Sequence, residues 1–282
     1  MLVLFYFGLV LIMGVTRGGA KRWLRLGIQF QPSELVKILL IVFYAGILTQ
    51  NRDNLGKFGK GLIYHLLFLV PILALLILEP HFSACIIMMA ITCMMMLMAG
   101  CKLKHFFICG IPAIPAIAYI AIKDQYRLDR ILSFLDPWKY ADDEGWQVIQ
   151  SLYAIGSGGL FGAGLGESKQ KYLYVSEPHN DFIFSILAEE LGFIGCLVVI
   201  VLFAIFIWRG IVIAMKAPDM FGSLLAVGIT TLVGVQVILN IAVVTSSIPV
   251  TGMPLPFFSY GGTALMILLC AVRSPFKYFK SH

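Results

Sequence analysis

Residues 182–208 read FIFSILAEELGFIGCLVVIVLFAIFIW, and this run decides the solvent in which the chain folds. A helix needs roughly 20 mainly apolar residues to cross a bilayer, and this stretch exceeds that length with Glu189 and Glu190 as its only charges. The same character extends outward over the whole chain, whose 282 residues are 60% hydrophobic and 13% charged, with a mean hydropathy of +0.91. A soluble domain must cover its core with more polar surface than that. Further apolar runs at 1–15, 35–49, 62–78, 82–100, 106–122, 221–244 and 264–272 each predict a span, the shorter ones starting or ending inside protein. Residues 1–13 lack the basic leader and small-residue cleavage site of a signal peptide, so they too read as a span. The expected fold is all-α: a polytopic transmembrane helical bundle of about eight spans. Neither repeats nor a low-complexity linker divides residues 1–282, which read as one membrane domain with a single long polar stretch at 123–180.

Short cytoplasmic loops of membrane proteins carry an excess of Lys and Arg. Arg52, Lys57 and Lys60 follow the second run, Lys102 and Lys104 the fourth, Arg209 and Lys216 the sixth, and Arg273, Lys277 and Lys280 the last. With alternating spans all of these fall on one side, the cytoplasm, and 123–180 becomes a large extracytoplasmic loop. In that loop Asp124, Asp129, Asp136, Asp142, Asp143 and Glu144 offset the basic residues. Arg17, Lys21, Arg22 and Arg25 depart from the rule by falling outside, where their charge suits an anionic ligand. The net charge of +6 is thus explained by topology, and it forms no basic face for nucleic acid. Cys85, Cys93, Cys101, Cys109, Cys196 and Cys270 lie in or beside apolar runs, with neither metal-ligand nor disulfide-framework spacing. They read as small buried hydrophobes.

Several residues can carry chemistry. In Ser176-Glu177-Pro178-His179-Asn180-Asp181 the serine and proline suit a helix start. Asp181 then sits near a helix N-terminus at the outer membrane face, where the helix dipole favours its carboxylate. It either acts as a base or merely complements the dipole. Glu189 and Glu190 lie deeper, where an ionisable side chain is costly unless paired or facing water. Helical geometry puts Glu189 about 80° round and about 12 Å along from Asp181, with Glu190 on the opposite face, which disfavours a paired-carboxylate hydrolase. The glutamates read as structural partners of basic residues on neighbouring helices.

In Gln31-Pro32-Ser33-Glu34-Leu35-Val36-Lys37, Pro32 opens a helix and Glu34 and Lys37 are neighbours on one face. They form an internal ion pair or line a water-filled cleft at the level of Asp181. The stretch 248–263 is too rich in Pro and Gly for a continuous helix and too apolar for a solvated loop. Irregular backbone at membrane depth survives only against protein or a cavity, so it is expected to be a re-entrant segment. Residues 156–166 are Gly-rich but lack the preceding strand and the Gly-Lys-Ser/Thr of a nucleotide loop. They read as a flexible outer loop that packs backbone closely, with Lys169 and Lys171 beyond it available to an anionic partner. His81, His105 and His179 have no ligand spacing, and no protein metal site is expected.

Longer motifs carry a resemblance. They are Gly19-Ala20-Lys21-Arg22-Trp23, Gln31-Pro32-Ser33-Glu34-Leu35, and Gln150-Ser151-Leu152-Tyr153-Ala154-Ile155-Gly156-Ser157-Gly158-Gly159-Leu160-Phe161-Gly162. Asn180-Asp181-Phe182-Ile183-Phe184, Glu189-Glu190-Leu191-Gly192, Pro249-Val250-Thr251-Gly252 and Ser259-Tyr260-Gly261-Gly262 continue the series to the end of the chain. Together they resemble the SEDS family of peptidoglycan glycosyltransferases, in wording closer to its FtsW/SpoVE branch than to RodA. The resemblance implies polymerisation of lipid II outside the bacterial cytoplasmic membrane, at a division or sporulation septum. It further implies release of undecaprenyl diphosphate, a divalent cation (Mg or Mn), and a class B penicillin-binding protein as partner. Asp181 takes the catalytic position by this likeness, while Lys21, Arg22, Glu34, Lys37 and Lys171 are candidates to bind the anionic substrate. The family's N-terminal pair of spans is not matched, and an acidic family position reads His81 in Glu79-Pro80-His81, so no role transfers to it. A lipid flippase or other transporter, which also uses broken helices around charged sites, and an inactive scaffold for the penicillin-binding protein stand as the alternative readings.

Overall fold

The computed structural model describes the backbone of residues 15–17, 20–26, 28–78, 82–123, 131–141, 145–168 and 180–280. Side chains are described for residues 31–78, 82–112, 115, 131–141, 145–168 and 180–273. The span expected at 1–15 lies outside these residues apart from Val15. Three short strands, β1 (Val15–Arg17), β2 (Ala20–Leu26) and β3 (Ile28–Phe30), pair antiparallel in the order β1-β2-β3. Thr16 lies opposite Lys21, and Arg25 opposite Gln29. Apart from this short ribbon, everything regular in the described chain is helical, as the all-α reading expects.

Helix α1 (Pro32–Gln50) begins where the sequence predicts, with Pro32 in its first turn after an extended Gln31 at φ −102°. Proline costs nothing there, because the first helical N–H groups have no intrahelical acceptor. A π-helical turn, Phe58–Ile63, leads into α2 (Tyr64–Leu78). Helix α3 (Phe82–Met98) closes on Gly100 at φ +110°. There Cys101 N–H donates to the Met96 carbonyl (3.0 Å) and Gly100 N–H to that of Leu97 (3.1 Å), a Schellman ending that needs glycine in the left-handed region. Helix α4 (Leu103–Lys123) carries Pro112 and Pro115 inside it.

The described residues of the polar stretch 123–180 include regular structure. It contains α5 (Gly145–Gly158), because Val148, Ile149 and Ala154 give it a face to bury. Asp136 caps the short 3-10 turn Pro137–Tyr140 by accepting from Lys139 N–H at 3.4 Å. Then come α6 (Ile183–Met215), broken at Gly192, α7 (Met220–Val244) and α8 (Gly262–Lys280). Between α7 and α8, residues 245–261 have no regular helix.

Four of the described helical segments are long and apolar enough to cross a membrane: Pro32–Gln50, Phe58–Leu78, Ile183–Met215 and Met220–Val244. Phe82–Met98 and Gly262–Arg273 are shorter and apolar. From Phe193 onward α6 exposes Phe193, Leu197, Val201, Leu202, Ile205 and Trp208, a face that only lipid or another apolar surface would cover. The protein is a helical membrane protein.

Packing groups the chain into two compact units, 1–109 with 207–233 and 261–282, and 110–206 with 234–260. In the first, Gly228 of α7 leaves no room for a side chain: a Cβ there would stand 2.5 Å from Ile41 Cγ2 and 2.9 Å from Met95 Sδ. Tyr44, fully buried, donates its hydroxyl to the His65 carbonyl at 2.8 Å. In the second, Gly158 of α5 lies directly against the Ala188 carbonyl of α6, and Ser151 donates to the Val244 carbonyl at 2.9 Å.

Candidate active site around Asp181

Asp181 lies in the turn 180–182 that immediately precedes α6, as its sequence context predicts. Phe182 beside it is buried, and its carbonyl accepts from both the N–H (3.1 Å) and the hydroxyl (2.7 Å) of Ser185. That bonding fixes the first turn of the helix, whose N-terminal dipole stabilises a nearby carboxylate. The Asp181 side chain itself is half-buried.

Two other segments meet this turn. Asn240, one of the buried polar residues of α7, donates one amide hydrogen to the Asp181 carbonyl (2.8 Å) and another to the Met253 carbonyl (2.6 Å). Ser259 donates to the Asn180 carbonyl (2.6 Å) and accepts from Leu255 N–H (2.7 Å). The irregular stretch 245–261 is thereby drawn against the aspartate. Gly252 has φ +64°, and a Cβ placed on it would lie 3.4 Å from Asp181 Oδ2. The left-handed backbone is what favours glycine here, since the carboxylate would stand at ordinary contact distance from a Cβ. Phe257 also has a positive φ, +67°, a costly conformation for a bulky residue. Its ring lies 5.7 Å from that of Phe206 and 6.5 Å from that of Phe203 on α6.

The Gly-rich stretch after α5 supports the site from the other side of α6. At Gly192 (φ 67°, ψ −168°) α6 leaves helical geometry, so the carbonyls of Glu189 and Glu190 lose their acceptor role within the helix. Ala163 N–H and Gly164 N–H donate to them instead, at 2.9 and 3.1 Å. In return Phe193 N–H and Ile194 N–H donate to the carbonyls of Gly159 and Leu160, at 2.9 and 3.2 Å. Gly162 and Gly192 touch backbone to backbone. The close backbone packing expected of 156–166 is observed, but the stretch is docked along a helix by hydrogen bonds. The N–H groups of Ala163 and Gly164 are engaged in this way.

Glu189 is buried, and Ser168 donates its hydroxyl to Glu189 Oε2. In the first unit, Glu34 and Lys37 form the expected ion pair, Nζ to Oε1 2.7 Å, with the lysine side chain 2% and the glutamate 17% exposed. The side chains of Lys21 and Arg22, and all of Lys171 and His81, lie outside the described residues. Among the described residues no group of three or more His, Cys, Asp or Glu is arranged to hold a metal ion. Asn240 was not singled out in the sequence. The signal for it is weak but real: an amide inside an otherwise apolar span needs a partner, and such residues concentrate where function is.

A family model for cell cycle proteins of the FtsW, RodA and SpoVE kind matches residues 1–273. Stage V sporulation protein E of Bacillus subtilis (strain 168) is 42% identical over 277 residues, covering 96% of this chain and 76% of that protein. The probable peptidoglycan glycosyltransferase FtsW of Geobacter sp. (strain M18) is 44% identical over 261 residues, covering 92% and 71% respectively. Among solved structures, a chain from a study of how a peptidoglycan synthase complex coordinates polymerization and crosslinking superposes with a TM-score of 0.79 at 27% identity, over 96% of this chain and 76% of that one. The rod shape determining protein RodA of Thermus thermophilus superposes at 0.68, also at 27% identity, over 96% and 73%.

Proposed function

Because the chain belongs to the FtsW/RodA/SpoVE family, we propose that it is a peptidoglycan glycosyltransferase with Asp181 as its catalytic base. The observation that carries this reading is the Asp181 turn: a half-buried carboxylate at a helix start, held through backbone bonds beside the irregular segment 245–261. We take that segment as re-entrant, in a single membrane domain of about eight spans, with Asp181 at the outer face of the cytoplasmic membrane of the septum. The substrate is lipid II. Asp181 removes the proton from the 4-hydroxyl of the acceptor sugar as that oxygen bonds to the anomeric carbon of the donor. The bond from that carbon to the diphosphate breaks, and undecaprenyl diphosphate leaves with the electron pair. General base catalysis of this kind supplies typically about 10² to 10⁴ in rate.

The leaving diphosphate calls for positive charge. Lys21, Arg22, Lys37 and Lys171 are the proposed sources, with Glu34 holding Lys37 in place. A divalent cation is proposed to arrive on the diphosphate as part of the substrate. The partner is proposed to be a class B penicillin-binding protein that crosslinks the new strands; a relative of this chain has been solved in a peptidoglycan synthase complex.

The test is polymerisation of labelled lipid II by the purified chain with its transpeptidase partner and a divalent cation. Wild type is expected to yield glycan polymer, and Asp181→Ala or Asp181→Asn to lose it by at least about a hundredfold. Equal polymer from wild type and both variants would remove Asp181 from the chemistry.

A further inference from the structure

We infer that Asn240 and Ser259 are positioning residues for Asp181, bracing its turn against the irregular segment so that the carboxylate stays fixed beside Gly252. This rests on the glycosyltransferase reading above and adds to it. The two side chains grip successive carbonyls of one turn. Ser259 bonds that of Asn180 and Asn240 that of Asp181, at 2.6 and 2.8 Å. Each also holds the opposite segment, Asn240 through the Met253 carbonyl at 2.6 Å and Ser259 through Leu255 N–H at 2.7 Å. Between these braces Asp181 Oδ2 rests against Gly252.

The residue types fit the task. Bridging two carbonyls takes a side chain with two N–H donors, and in an apolar helix the uncharged choice is an amide. Bridging a carbonyl and an N–H takes a group that donates and accepts, which a hydroxyl does. Asn240 is 1% exposed, and its Oδ1 is buried with no hydrogen-bond partner among the described residues. An orphaned buried oxygen costs stability, so the amide is a poor choice for holding the fold alone. Its two donated bonds offset that cost by ordering the turn that carries the base. Small displacements of a reacting group, on the order of 1 Å, lower turnover by about a hundredfold even when substrate binding is untouched.

The experiment measures kcat and KM for labelled lipid II in the full chain with its transpeptidase partner. It compares wild type with Asn240→Leu, Ser259→Ala, Ser259→Thr and Gln236→Leu. Gln236 is a buried amide one helical turn before Asn240 with no hydrogen bond to the Asp181 turn among the described residues, and it controls for the loss of any amide from α7. Asn240→Leu is expected to lower kcat at least about tenfold and Ser259→Ala several-fold. KM should stay within about twofold, while the thermal melt falls modestly because the carbonyls of Asn180, Asp181 and Met253 lose their donors. Ser259→Thr, which keeps the hydroxyl, and Gln236→Leu should retain wild-type turnover. Wild-type kcat in both Asn240→Leu and Ser259→Ala, a rise confined to KM, or an equal fall in Gln236→Leu would overturn the inference. If Asn240→Leu does not fold, Ser259→Ala against Ser259→Thr decides alone. A wild type that makes no polymer would instead sink the glycosyltransferase reading itself.

Discussion

Lys37 shows how a single charge is made tolerable in an apolar helix. Its ammonium is almost wholly enclosed, and its one ionic partner among the described residues is Glu34, one turn earlier, at 2.7 Å. Removing one member of a buried pair is far worse than removing both, because it leaves an uncompensated charge without water. Glu34→Ala is therefore expected to destabilise the protein by roughly 3 to 5 kcal/mol, whereas Glu34→Leu with Lys37→Met should recover most of that loss in thermal melts in detergent. If Lys37 also serves the diphosphate, the double variant will be stable and slow. This pair was readable from spacing alone, since residues three apart share a helix face. Asn240 was not, because its partners are the carbonyls of Asp181 and Met253, and every residue has a carbonyl. Backbone partners leave no trace in side-chain identity.

Helix α6 is the element in which sequence and structure differ most instructively. Its apolar run passes through Gly192 with Glu189 and Glu190 as its only charges before Arg209, so hydropathy reports one span where the backbone makes two helical segments. The break is tolerated because each lost intrahelical bond is replaced by one to 159–164, which satisfies the rule that backbone polar groups in lipid must find partners within the protein. The glycines that allow it are far apart in sequence, and only their meeting explains either. A methyl at Gly192 would collide with the backbone of Leu160 and Gly162, and at Gly162 with that of Glu190 and Gly192. Gly192→Ala also strains a left-handed residue. Either alanine is expected to lower the melting temperature by many degrees or prevent folding, while Gly166→Ala, where φ is +84° but no atom lies within 4 Å, should cost about 1 kcal/mol. Comparable losses at all three would mean that the docked loop contributes nothing beyond its own conformation.

For the molecule as a whole, hydropathy carried the reading to a helical membrane protein, since the membrane imposes apolar spans, while loop charge supplies an orientation to be measured. The loops after α1 and α3, both assigned to the cytoplasm by charge, do come together: a Cβ on Gly56 would lie 3.8 Å from Lys102 Cε. Cysteines introduced at Lys57 and Lys104, in a background without native cysteines, should react with an impermeant maleimide only in permeabilised cells or inverted vesicles. Labelling in intact cells would reverse the topology and move Asp181 to the wrong side for lipid II polymerisation. What loop charge did not reveal was the regular structure among the described residues of 15–30 and 123–180. The ribbon at 15–30 and helix α5 owe their form to pairing and packing that composition does not encode.

The bonds exchanged across the break in α6 also make part of the chain keep count. Residues 163, 164, 159 and 160 are matched to 189, 190, 193 and 194, so one residue inserted within 159–164 or 189–194 puts a donor opposite the wrong acceptor. Chain added between Ser168 and Asn180 disturbs none of these matches. An insertion between Ser168 and Asn180 is therefore expected to be tolerated far better than one within 159–164 or 189–194, as thermal melts of the insertion variants would show.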